Sequence, residues 1–139
     1  MRVLTSASSA ALFVDTKLWA LFSCQRVRLS LEHGNTDASA HAYSTYALAL
    51  NAFFGDLSRA HRFGQVAMSM VNDRGYTEFR AAVYLNAGVF VDYWIDPLED
   101  VMTAIHRTYR AGVESGAPNY ACFAAWALPI APERGWRRW

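Results

Sequence analysis

Histidines and acids are the side chains of this sequence best suited to bind a metal or transfer a proton. Four histidines stand at positions 33, 41, 61 and 106. A helix-borne zinc site needs two histidines four residues apart with a third ligand nearby. The closest pair here, His33 and His41, is eight residues apart. The spacing therefore does not indicate a metal site, and we expect neither a metal nor another cofactor.

Nucleophilic side chains are also present, but they lack a catalytic sequence context. Ser39, Ser44 and Cys24 lie in neither a Gly-x-Ser-x-Gly turn nor a cysteine-protease motif. The chain has no Gly-x-x-x-x-Gly-Lys-Ser/Thr loop for phosphates, and no His-Arg-Asp or Asp-Phe-Gly triplet. We therefore predict that this chain is not itself an enzyme. Cys24 and Cys122 are expected to be free, buried thiols of a reducing compartment.

The composition favours a folded domain without a strong electric field. The 139 residues are 53% hydrophobic and 14% aromatic, which excludes general disorder. Thirteen basic and 12 acidic residues are dispersed along the chain, so neither nucleic acid nor an anionic membrane is an expected partner. No convincing export signal is present, and the apolar run 18–22 is far shorter than the roughly 20 residues of a membrane span. We expect a cytoplasmic protein.

A repeat organises the elements that would position these side chains. Gly34, Gly75 and Gly116 are 41 residues apart, and an acid precedes each by two positions. Apolar residues match at the same period, for example Phe54 with Ile95. Self-similarity at about 40 residues is typical of stacked helical hairpins. The period therefore predicts that one helical unit is reused along the chain.

Apolar spacing and turn residues give the predicted bounds of these units. A helix over 16–33 stops at Gly34, and hairpins follow at 37–74 and 78–115. With a half unit at each end, the predicted fold is an all-α solenoid of about five to seven antiparallel helices over residues 1–128. Residues 129–139 are expected to form an irregular basic and aromatic tail.

Small residues predict close helix packing. Ala60, Gly64 and Ala67 form one row on a helix, and Gly88 lies inside the next one. Small side chains let helix axes approach closely, which compensates for the about 1 kcal/mol that a helical glycine costs relative to alanine. Most tryptophans and phenylalanines at helical spacing are expected in the core.

Several runs of this sequence resemble a known helical-repeat region, and the resemblance covers roughly residues 12–126. The matching runs are 25–35 (QRVRLSLEHGN), 37–43 (DASAHAY), 54–56 (FGD), 62–65 (RFGQ), 79–81 (FRA) and 84–86 (YLN). They resemble the tetratricopeptide-like region of large bacterial multidomain signalling proteins. In those proteins a serine/threonine-kinase-like domain and an AAA ATPase precede the repeats, and GAF and histidine-kinase domains follow.

The resemblance implies a non-catalytic scaffold or protein-interaction segment of a signal-transduction protein of the two-component type. Because the kinase and ATPase motifs are missing from these residues, the chain is expected to be a fragment whose parent carries that chemistry. In tetratricopeptide-type stacks the first helix of each unit lines a concave groove. By analogy, a protein-contact groove is expected on this face: His41, Ser44, Asn51, Ala82, Asp92 and Tyr93.

Alternative functions remain open at this point. A stand-alone peptide-binding adaptor has the same fold and needs no further domain. A helical enzyme or ligand-binding bundle would need His33, Asp37 and His41 to converge on one concavity. Exposed apolar faces on the first helix and around Trp126 also predict self-association through uncapped terminal helices. Protein or peptide partners, or adjacent domains of a longer chain, are expected in each of the non-catalytic readings.

Overall fold

The computed structural model describes residues 2–129, which are helical and contain no strand. The predicted all-α class is therefore confirmed for this part of the chain. The expected tail, apart from Pro129, lies outside the described residues. The helices are α1 (Arg2–Val14), α2 (Thr16–His33), α3 (Asp37–Phe54), α4 (Leu57–Asn72), α5 (Arg80–Val83), α6 (Leu98–Glu114) and α7 (Pro118–Ala127).

Helix α5 continues without a break into a π-helix and then a 3-10 turn. The π-helix spans Tyr84–Val91, and the 3-10 turn spans Asp92–Trp94. We call the continuous element over 80–94 the fifth rod. Runs of π-helix are rare and often coincide with functional positions. This irregular element lies in the middle of the second predicted hairpin.

The starts of the even-numbered helices follow the 41-residue period. Three helices begin at Thr16, Leu57 and Leu98, each 41 residues after the last. The three repeated glycines all have positive φ, at 92°, 75° and 67°. Positive φ is a conformation that glycine adopts without the steric cost of a Cβ atom. The period therefore corresponds to reused helix boundaries.

Helices α3 and α4 lie within the predicted hairpin 37–74, and the fifth rod and α6 within 78–115. The second hairpin begins at Arg80 rather than at the expected Thr77 or Glu78. The preceding loop is held by the first hairpin instead, since the Glu78 N–H donates to Asp37 Oδ1 at 3.3 Å. At the N-terminus, α1 packs on α2, so the expected half unit contains two helices.

Consecutive helices pack against each other throughout the described chain. The connections after α1, α2 and α3 are one to three residues long, so these neighbours run antiparallel. The odd-numbered elements also contact one another in order: α1 with α3, α3 with the fifth rod, and the fifth rod with α7. They form one layer and run in the same direction.

Close approach at small residues is confirmed. A Cβ added at Gly64 would lie 3.3 Å from Ala87 Cβ on the fifth rod, and one added at Gly88 would lie 3.2 Å from Ala104 Cβ. At Gly112 it would lie 2.7 Å from the backbone nitrogen of Ala121. These glycines set the spacing of α4, the fifth rod, α6 and α7.

Candidate functional site

The six residues expected to line a groove do not share one environment. His41, Ser44, Ala82 and Asp92 are buried, while Asn51 and Tyr93 are half-buried. His41, Ser44 and Ala82 lie inside the helix stack, so this part of the expected face is not open to a peptide. Asp92 is buried as well, but it also lines a depression that opens to the surface. The structure brings Ser44 within 3.3 Å of Asn86 on the fifth rod. It directs Asp92 toward α4, away from the surroundings of His41.

His41 instead belongs to a buried polar seam between α2 and α3. Arg26 is completely buried, and its Nη2 donates to His41 Nδ1 at 2.9 Å. Since a guanidinium can only donate, Nδ1 must accept, and His41 is neutral with its proton on Nε2. The ring stacks on Phe79 at 5.3 Å between centroids. The seam thus ties α2 and α3 to the turn before the fifth rod.

The guanidinium of Arg26 carries an uncompensated charge within the described residues. Its second contact is the Thr45 hydroxyl at 3.5 Å, and no described carboxylate pairs with it. Its Nε has no hydrogen-bond partner in this part of the chain. Burial lowers the pKa of Arg26 to about 10, so it remains charged near neutral pH. Burial, reinforced by the positive Arg26, lowers the pKa of His41 to about 3.

Buried Asp92 forms a second polar contact, with the partly exposed His61 of α4. The distance from His61 Nδ1 to Asp92 Oδ1 is 2.9 Å. Burial raises the pKa of Asp92, and the hydrogen bond from His61 opposes that rise. This contact fastens the end of the fifth rod to the preceding hairpin.

The three residues required for a catalytic or ligand-binding bundle lie in different places. His33 is exposed beside Glu32, His41 is buried beside Arg26, and Asp37 accepts from the Glu78 backbone. Over residues 2–129 no group of three or more histidine, cysteine or acidic side chains is arranged to hold a metal. Cys24 and Cys122 are free as expected, but both are exposed, so the prediction that they are buried is wrong.

Large apolar side chains are exposed at the end of each odd-numbered element before α7. Phe13, Phe54 and Ile95 are 81%, 74% and 43% exposed, and they are 41 residues apart. The residues directly before them are 42–44% exposed and follow the same period. Because these elements run in the same direction, the three pairs lie along one side of the stack. We call this row the apolar edge: Leu12, Phe13, Phe53, Phe54, Trp94 and Ile95.

The apolar edge corrects the expectation that most aromatic residues are core. Trp19 is buried, whereas Phe53, Phe54 and Trp94 are exposed. Trp126 is exposed too, as expected for the last helix. These rings still have aromatic contacts: Phe53 lies 6.3 Å from Trp19 and Trp94 lies 5.5 Å from Tyr93, between ring centroids. The repeat spacing pairs Phe54 with Ile95, but it does not indicate that they are exposed.

Charged residues flank the apolar edge because even-numbered helices begin there. Asp15 Oδ1 accepts from the backbone of Lys17, and Asp56 accepts from the backbone of Arg59. Such N-caps satisfy free N–H groups of a first helical turn. Five acids and two bases occupy the starts of α2, α4 and α6 and the residues just before them: Asp15, Lys17, Asp56, Arg59, Asp96, Glu99 and Asp100. This side of the stack is therefore net negative.

Two adjoining depressions lie on the outer surface over the fifth rod. The first, of about 350 Å³, is between the fifth rod and α6, and we call it the arginine depression after Arg80, Arg107 and Arg110. The second, of about 240 Å³, reaches α4 and contains three acids, Asp92, Asp96 and Asp100. We call it the aspartate depression. Tyr84, Thr103 and Arg107 line both.

Comparison with protein-family models, curated proteins and solved structures finds no match to this chain. The resemblance to bacterial signalling proteins therefore stays a prediction from sequence. Among the described residues, no helix is both long and apolar enough to cross a bilayer.

Proposed function

We propose that this chain is a non-catalytic helical-repeat scaffold, a tetratricopeptide-like solenoid that binds partner proteins. The observation that carries the proposal is the apolar edge. Large apolar patches on the surface of a folded protein often mark protein-interaction sites. A pair of large apolar residues recurs here at each 41-residue step, and each of the six side chains is more than 40% exposed.

The helix arrangement supports a scaffold. The starts of α2, α4 and α6 repeat every 41 residues, and each odd-numbered element contacts the next. In repeat stacks of this type each unit contacts only its neighbours and contributes one portion of an extended binding surface. The apolar edge is extended in this way, because one pair of its residues comes from each of three successive units.

The spacing and charge of the apolar edge fit an amphipathic helix with basic flanks, and we propose such a helix as the partner. Packed helices are about 8–10 Å apart, so successive apolar pairs are separated by a similar distance. A helix rises about 1.5 Å per residue, so residues seven apart on one face match this step. The net negative charge beside the edge favours lysine and arginine on the partner.

The sequence resemblance assigns a wider role, that of holding kinase and ATPase domains together in a bacterial signalling protein. This role is part of the proposal and rests on the resemblance alone. A stand-alone adaptor would use the same edge. The enzyme or ligand-binding bundle has less support, because His33, Asp37 and His41 occupy separate environments.

The test is binding of a designed peptide to variants of the apolar edge. The peptide is a 21-residue amphipathic helix with leucine every seventh position and flanking lysines, and its control has the same composition in scrambled order. Fluorescence anisotropy with the double variant Phe13→Ser, Phe54→Ser should show at least tenfold weaker binding. The control is Leu31→Ser, which removes a 72% exposed leucine in the last turn of α2, at the end of that helix away from the apolar edge. This variant should bind the peptide as the unchanged chain does. Equal binding by both variants, or by the scrambled peptide, would contradict the proposal.

A further inference from the structure

The arginine depression is a second surface, separate from the apolar edge. It is lined by Arg80 of the fifth rod and by Arg107 and Arg110 of α6, with Tyr84 between them. Its volume of about 350 Å³ falls within the range of small-ligand sites, about 300–1,000 Å³. Among the described residues Glu114 is the one acid that lines it, so its own lining has a formal charge of +2. Arg107 also lines the aspartate depression.

Two of these arginines are held in place by the protein itself. Arg80 Nη2 bonds Glu114 Oε2 at 2.8 Å, which links the fifth rod to the end of α6. Arg107 lies over the ring of Tyr84, 5.5 Å from its centroid. The Tyr84 hydroxyl in turn donates to Asn72 Oδ1 of α4 at 2.9 Å. The site is therefore preorganised by contacts from three elements.

These contacts leave most of the hydrogen-bonding capacity of the arginines unused. A cation–π contact uses the face of a guanidinium and not its in-plane N–H groups. Among the described residues no acid pairs with Arg107 or Arg110. Two guanidinium forks thus line one depression with their donors available.

We infer that the arginine depression binds a phosphate monoester. A monoester carries close to two negative charges at neutral pH and offers three acceptor oxygens, which match the +2 charge and the free forks. A carboxylate supplies one charge and two oxygens, so it leaves one arginine uncompensated. The adjoining aspartate depression repels a second anion and favours a cationic group on the organic part. The ligand class is thus a monoester that bears a nearby positive charge, such as phosphoserine beside lysine.

The test uses NMR titration with the capped tripeptides Gly-phosphoSer-Lys, Gly-Ser-Lys and Gly-Glu-Lys. The phosphorylated peptide should shift amide signals of 80–84 and 103–110, and should bind at least about tenfold more tightly than the other two. Phosphoethanolamine provides a small-molecule arm. If phosphoethanolamine binds at the same residues but more weakly than the phosphorylated peptide, the site is assigned to phosphorylated protein. If the two bind equally, the site is assigned to small monoesters. Either result supports the inference.

Variants make the inference falsifiable. Arg110 is exposed, so Arg110→Ala should keep the circular dichroism spectrum and weaken phosphopeptide binding at least about fivefold. Arg62→Ala, which removes an exposed arginine of α4 outside both depressions, is the matched control and should have no effect. Equal binding of the glutamate peptide, equal losses in both variants, or shifts confined to other residues would overturn it.

Discussion

The buried contact between Arg26 and His41 makes the protein sensitive to acid. His41 has a pKa of about 3 in the folded chain, whereas an unfolded histidine titrates near 6.5. Between these values the unfolded state binds a proton that the folded state does not. The contribution of His41 to the free energy of unfolding is therefore present at pH values above about 6.5. It falls as the pH is lowered, with a slope that approaches about 1.4 kcal/mol per pH unit. From pH 6.5 to 4.5 the expected loss from this residue is about 2 kcal/mol.

The substitution His41→Asn isolates this contribution. Asparagine offers an oxygen close to the position of Nδ1, so Arg26 keeps an acceptor while the titrating ring is removed. Urea unfolding at a series of pH values should give a free energy that falls with acid in the unchanged chain. Between pH 4.5 and 6 the free energy of unfolding should fall less steeply in the variant, by about 1.4 kcal/mol per pH unit, which corresponds to one proton.

Other groups, among them Asp92 with its raised pKa, titrate in both proteins and cancel in the difference. His33→Asn is the control, because His33 is exposed and lies outside the Arg26–His41 contact, so this variant should keep the fall in stability that His41 causes. If the curves of the unchanged chain and His41→Asn run parallel, the buried neutral histidine is refuted.

Two further predictions concern packing and buried charge. Gly112→Ala should lose about 1–3 kcal/mol of unfolding free energy, because the new Cβ meets the Ala121 backbone. In Gly88→Ala the new Cβ meets only a methyl group, so the unfolding free energy should change little. Equal effects of both substitutions in urea titrations would argue against the close contact of α6 and α7. Arg26→Met should retain or raise the free energy of unfolding, since it removes a buried charge with no described carboxylate partner. Arg26→Ala should lose about 2 kcal/mol or more, because it leaves a cavity. A Met variant as unstable as the Ala variant would contradict an uncompensated charge at Arg26.

The sequence predicted the helices well where glycine and N-cap residues mark their ends. Helix α2 was placed at 16–33, and Gly34, Gly75 and Gly116 have the positive φ that such ends require. The second copy is predicted to open near Thr77 and Glu78, and the fifth rod begins at Arg80. The loop before it contacts residues 41 positions earlier, such as Glu78 with Asp37. Contacts of that kind are not visible in local sequence.

The buried seam was not predicted, because Arg26 resembles a solvent-facing residue between apolar ones. Its burial depends on Ser23 and Ser30 sharing its face, one turn to either side, and on polar partners from α3. The groove expected at His41 and Ser44 likewise came from the analogy with tetratricopeptide stacks. The side chains that fill that face here, Arg26 and Phe79, come from other parts of the chain.

The apolar edge was partly visible, since the 41-residue alignment paired Phe54 with Ile95. What the alignment did not provide was exposure. An apolar residue in the last turn of a helix is buried or exposed according to how far neighbouring helices extend, which is a tertiary property. The arginine depression combines α6 with the fifth rod, so its residues are adjacent only after folding.

The location of a bound amphipathic helix tests the central claim most directly. A nitroxide attached to the middle of the designed peptide broadens amide signals of nearby protein residues. The account predicts broadening at 12–15, 53–57 and 94–98 together, with signals at 31–36 and 72–79 on the opposite side unaffected. Broadening of the opposite side, or of one of the three segments without the others, would contradict a continuous protein-binding edge.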